Sequence, residues 1–69
     1  MQKNILMSLI KRYDGCQENL AKAMDKSLST LSAKINEYNG RSFTVKEMRF
    51  LKDRYNMTDE DFISIFFND

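Results

Sequence analysis

Ser29, Ser32 and Ala33 fall on one side of a helical stretch that opens at Leu28, and Lys34, Asn36, Arg41, Ser42 and Lys46 follow it. A short hydroxyl can make one hydrogen bond to a base edge, and a small apolar side chain can touch a thymine methyl. The cations and polar groups behind them suit phosphate oxygens. Lys26, just ahead of the stretch, extends the same set. Leu28 is open to two readings. Periodicity turns it inward beside the preceding turn, whereas an outward Leu28 would meet a thymine methyl. Nothing comparable points to catalysis. The chain has no His, no nucleophile with a base beside it and no glycine-rich phosphate cradle. One Cys without any His builds neither a zinc site nor an internal disulfide. Asp59-Glu60-Asp61 reads as negative charge at a helix start rather than as a metal site. The expectation is a binding protein without metal or cofactor, not an enzyme.

Short helices must position these groups. Leu6, Leu9, Ile10 and Tyr13 recur at helical spacing and predict a first helix over about residues 3 to 13, ended by Asp14-Gly15. Leu20, Ala21 and Met24 give one stripe on a second helix over residues 17 to 24. Asp25-Lys26-Ser27 interrupts it, and Leu28, Leu31 and Ile35 begin another stripe that runs to about Tyr38, with Ser27 as the cap. Asn39-Gly40 closes that helix. Thr44-Val-Lys-Glu47 is a capping box that opens a fourth helix, with Val45, Met48, Leu51 and Tyr55 on its apolar side. Asn56 and Met57 break the pattern, and Thr58 caps a short fifth helix. The fold class expected is all-α, one domain spanning residues 1–69. Two helices as short as the second and third, joined by three residues, must cross steeply.

The run QENLAKAMDKSLSTLSAKIN, residues 17 to 36, resembles the helix-turn-helix of the phage repressor and Cro family. Gln17, Leu20, Ala21, Met24, Ser27, Leu31, Lys34, Ile35 and Asn36 carry the likeness. The later run RSFTVKEMRFLKDRYNMTDEDFISIFF is similar to the last two helices of small phage-encoded members. The resemblance implies a compact five-helix fold that sets the helix from Leu28 into the DNA major groove. It implies that Gln17 and Asn36 hold phosphates, and that Leu28 is the first outward residue of the reading helix. Three positions depart from the family. Asp25 stands where glycine usually begins the turn, Cys16 where an oxygen-bearing cap is common, and Glu37 where glycine often follows the motif. Cys16 is expected to be a partly buried, unactivated thiol.

The formal net charge is only +1. Its distribution is less even. Residues 1–58 hold all eleven Lys and Arg against Asp14, Glu18, Asp25, Glu37, Glu47 and Asp53, a balance of +5; Asp59, Glu60, Asp61 and Asp69 make the remainder −4. A basic body can still turn one face to phosphate. The first residues are too short in apolar run for a signal peptide, and no stretch reaches the roughly twenty apolar residues of a membrane span. A cytoplasmic, reducing setting fits the single Cys. A chain this short buries only about 60% of its unfolded surface, so a partner would help it. The apolar spread of Phe62, Ile63, Ile65, Phe66 and Phe67 is wider than one core stripe needs. Phe50, Phe66 and Phe67 are the expected homodimer contacts, and the family resemblance implies a palindromic operator. The expected role is therefore a transcriptional regulator on double-stranded DNA, most simply a repressor, with no small-molecule substrate. Its rivals are a protein-interaction module on the same fold, such as an antirepressor, and an antitoxin-like partner.

Overall fold

Capping hydrogen bonds decide where each of the five helices begins or ends. A computed structural model describes residues 1–67; Asp69, counted above with the acidic segment, lies outside them. Helix α1 spans Lys3–Asp14, α2 Gln17–Ala23, α3 Leu28–Ile35, α4 Val45–Arg54 and α5 Asp59–Phe66, with a short 3-10 turn at Tyr38–Gly40. No strand occurs among the described residues. Ser27 caps α3, accepting from the Thr30 amide at 3.1 Å. Thr44 and Thr58 each close a full capping box, with Glu47 and Asp61 as the returning carboxylates. Cys16 precedes α2 without any side-chain cap, as its chemistry predicts. Its thiol is exposed, not partly buried.

One core joins every helix into a compact all-α globule. Leu6 and Ile10 of α1, Leu20 and Ala21 of α2, Leu31 and Ile35 of α3, Leu51 of α4 and Ile65 and Phe66 of α5 are all buried in it. Phe43, Tyr55 and Met57 complete it from positions outside the helices. Phe43 and Met57 each sit one residue before a capping threonine. Met48 and Phe62, four residues into the following helices, pack against the same core. This is the hydrophobic-staple arrangement, and it explains why Val45 misses the stripe expected of it. The core contact is made before the cap, so the first helical residue overhangs it. Val45 is 61% exposed.

Helix α3 stops three residues short of the expected Tyr38. Glu37 does not continue it but turns left-handed, at φ 53°, where glycine would be unstrained. Asp25 does the same after α2, at φ 56°. There the Asp25 amide reaches the Lys22 carbonyl at 3.1 Å and the Lys26 amide reaches Ala21 at 2.9 Å, a Schellman end. Asn56 ends α4 identically, which folds Met57 back onto the core. Gly15, at φ 82°, is the only glycine used directly after a long helix.

A second tie fastens the ends of α1 and α4. The Asp14 carboxylate accepts from Arg54 at 2.5 and 3.2 Å and from the Tyr55 hydroxyl at 2.5 Å. Tyr13, expected on the apolar stripe, lies half exposed and stacks on Tyr55 with ring centroids 5.2 Å apart. The Arg54 guanidinium holds the Asp14 carboxyl below its usual range, and burial pushes the Tyr55 phenol well up.

A glutamate in left-handed backbone has no compensating local hydrogen bond, whereas aspartate tolerates that region better. The half-exposed carboxylate of Glu37 lies 3.5 Å from the Met1 amino group, a loose pair open to water on the glutamate side. Glu37→Gly should therefore stabilise the chain by about 0.5–1 kcal/mol and Asp25→Gly by less, read as urea midpoints at unchanged slope. A lower midpoint for Glu37→Gly would show that its backbone carries no strain.

Candidate nucleic-acid interface

The turn Met24 to Ser27 delivers α3 with one side in the core and the other in solvent. Leu31 and Ile35 are buried, and Ala21 of α2 is buried with them where a larger side chain would meet the neighbouring helix. On the far side Ser29 is exposed, and Ser32 and Ala33 are half-buried. Leu28, which periodicity would turn inward, is 45% exposed. The reason is the one that applies to Val45: both are first residues after a cap, ahead of the turn that packs. Gln17 opens α2 half-buried, beside Cys16.

The expected phosphate cluster divides in two. Arg41, Ser42 and Lys46 are exposed, and neither cation has an ion pair among the described residues. Lys34 and Lys26 are turned inward by a residue that composition alone places on the surface. Glu47 is 8% exposed, and Lys34 Nζ lies 2.7 Å from both of its oxygens. Lys26 Nζ stands 3.4 Å from the same carboxylate. The Thr44 amide donates to it as well, at 2.8 Å. Burial raises the pKa of Glu47, but Lys34, the Thr44 amide and Lys26 outweigh it, and the net value falls from 4.5 to about 2. Lys34 and Lys26 therefore act first as internal counter-ions, a role the sequence reading did not assign them.

Asn36 ends α3 exposed, with both sides of its amide occupied. Its oxygen accepts from Lys3 Nζ at 3.1 Å, and its nitrogen donates to the Ser32 carbonyl at 2.9 Å and to Ser32 Oγ at 3.3 Å. Lys3 went unnoticed as a site residue because thirty-three positions separate it from Asn36. Helix α1 nonetheless brings its cation to the end of α3.

The aromatic residues expected at a dimer contact do not form one surface. Phe66 is 8% exposed and belongs to the core, where Phe43 meets it edge-on at 6.1 Å. Phe50 borders a groove with Met24, Lys26, Lys46 and Glu47, beside the turn between α2 and α3. Phe67 lines a different groove, with Val45, Arg49, Lys52, Asp59 and Phe62. Val45, Ile63 and Phe67 are each more than half exposed, and the first two were not expected there. No group of three or more metal-ligating side chains occurs among the described residues, and no helix there is long and apolar enough to cross a membrane. No family model, no curated protein and no solved structure matches this chain.

The sign of the Glu47 effect is definite. A carboxyl whose folded pKa lies below its unfolded value stabilises above the unfolded pKa and loses that stabilisation as pH falls through the folded one. Glu47→Gln keeps a side chain that can complete a capping box but removes the charge facing Lys34 and Lys26. It should cost on the order of 2–3 kcal/mol at neutral pH. The gap between wild type and variant should close as pH falls from about 5 towards about 2. A gap that stays constant over that range in urea unfolding would show that the carboxylate stabilises by shape and not by charge.

Proposed function

We propose that this chain is a sequence-specific DNA-binding transcriptional regulator of the phage repressor and Cro type. Helix α3 enters the major groove and a dimer meets a palindromic operator. The observation that carries this reading is the uncovered side of α3. Leu28 and Ser29 stand exposed at its start and Ser32 follows, while α2 supports the opposite side through Leu20 and Ala21. Exposed cations lie beyond its end at Arg41 and Lys46, and Lys3 reaches Asn36 there. Such a rim suits phosphates on either side of a groove. Gln17 is the amide for that backbone, as the family resemblance implies; Asn36, given the same role by that resemblance, spends its N–H groups on Ser32 and holds Lys3 towards the phosphates instead.

A second copy covers Val45, Ile63 and Phe67 in this reading, in place of the Phe66 contact expected earlier. The rim of that surface admits a copy of itself. Both signs are present there, with Arg49 near Asp53 and with Lys52 already 3.0 Å from Asp59, so the rim carries no large excess of one charge to repel a second copy. The rival, a protein-interaction module, draws on the same patch and on charge. Lys22, Lys26, Lys34, Lys52 and Arg54 are all paired with carboxylates, which leaves fewer cations for DNA.

Salt separates the two. The regulator should retain duplexes from a random pool at low ionic strength and lose them steeply as salt rises, with inverted repeats about 34 Å apart enriched. Arg41→Ala and Lys46→Ala should each lower the salt slope by about one per protomer, and the paired change Lys34→Met with Glu47→Gln, which removes the ion pair as a unit, should leave the slope unchanged. Gln17 and Asn36 substitutions should weaken all sites alike, whereas Ser29 and Ala33 substitutions should alter preference. Retention of no duplex at any salt concentration would leave the interaction module as the better account.

A further inference from the structure

At the start of α3 a carbon surface stands among hydroxyls that already serve one another. Ser27 Oγ donates to Thr30 Oγ1 at 2.8 Å and accepts from the Thr30 amide at 3.1 Å. The Ser29 hydroxyl lies 3.3 Å from the same oxygen, and Ser32 Oγ accepts from Asn36. Residues 28 to 33 include no Arg, Lys, Asn, Gln, Asp or Glu, so the two-toothed contacts that identify guanine and adenine are absent from this face. Leu28, 45% exposed, is the one large apolar side chain that this face turns outward.

The major groove offers one apolar mark among its donors and acceptors, the methyl on C5 of thymine. An outward leucine gains by covering that methyl. Against a bare polar edge it only strips water from groups it cannot satisfy. We propose that Leu28 makes this chain a reader of 5-methylpyrimidines, with its side chain seated on one such methyl in each half-site. This rests on the DNA-binding reading above and adds to it the class of base recognised. The methyl of 5-methylcytosine projects from the same ring carbon, so Leu28 accepts it in the same place. Substituting Leu28 leaves the core intact, because the buried positions of α3 are Leu31 and Ile35.

The test starts from duplexes selected out of a random pool by the full chain. In the best of them each thymine is replaced in turn by deoxyuracil, which removes only the methyl. Wild type should lose about fourfold in affinity at one position per half-site, the worth of one buried methyl group, and about fifteenfold when both half-sites are changed. Leu28→Ala, checked for an unchanged thermal midpoint, should show no such loss. Cytosine placed at that position should bind more weakly, and 5-methylcytosine should recover about fourfold for wild type and nothing for Leu28→Ala. Uracil tolerated at every position, or uracil penalties that all persist in Leu28→Ala, overturns the proposal while leaving DNA binding in place. Failure to select any duplex overturns both.

Discussion

Much of the arrangement around α3 depends on where the carboxylate of Glu47 lies. It returns to the Thr44 amide and so begins α4, and the same two oxygens hold Lys34 of α3 and face Lys26 in the preceding turn. One buried anion thus fixes three pieces of chain relative to one another. A charge so placed is tolerable only because every partner is present together. Removing either the amide or the lysines would leave it to bear its desolvation alone. Leu31 and Ile35 supply the apolar contact that keeps α3 down, but apolar contact has no direction. The ion pair adds one, since Lys34 can meet both oxygens only with the helix in one rotation.

That choice also sets the character of the outer surface. Lysines committed to an internal anion cannot also neutralise phosphate, so the proposed interface has a sparse rim of cations around a face of hydroxyl and hydrocarbon. Attraction from a distance is correspondingly modest. In the proposed reading, discrimination then falls to close contact and to the shape and flexibility of the duplex. Asn36 illustrates the same economy of partners. Its amide already joins Lys3 to the last turn of α3, so that cation is held in place in advance.

The sequence reads well wherever both partners of an interaction lie within one turn. The boxes at Thr44 and Thr58, the cap at Ser27 and the left-handed Gly15 are all of this kind, and the helix starts follow from them. Apolar periodicity likewise identifies Leu6, Ile10, Leu20, Leu31, Ile35 and Leu51 as core. It fails at the edges of helices. Phe43 and Met57 lie outside the repeating pattern yet are buried, and Val45 lies inside it yet faces water, because a stapled helix packs from the residue before its cap; Leu28 faces water as the first residue after the Ser27 cap. Glu37 misleads for another reason: glutamate favours helices, and nothing local shows that it will bear a left-handed turn. Partners distant in sequence leave no periodic trace. The Lys34–Glu47 pair spans thirteen positions, the Lys3–Asn36 contact thirty-three and the Asp14–Arg54 pair forty. The exposed cations Arg41 and Lys46 were foreseeable by type, but the withdrawal of Lys26 and Lys34 from the same cluster was not.

Three helices that end on aspartate, glutamate and asparagine where glycine would be relaxed leave this small chain nearer its unfolding threshold than its architecture demands. A domain held nearer that threshold opens more often than a relaxed one would, and whatever binds the closed form alone would lengthen its life. Occupied copies would outlast idle ones. Abundance would then follow the number of available targets without any separate degradation signal.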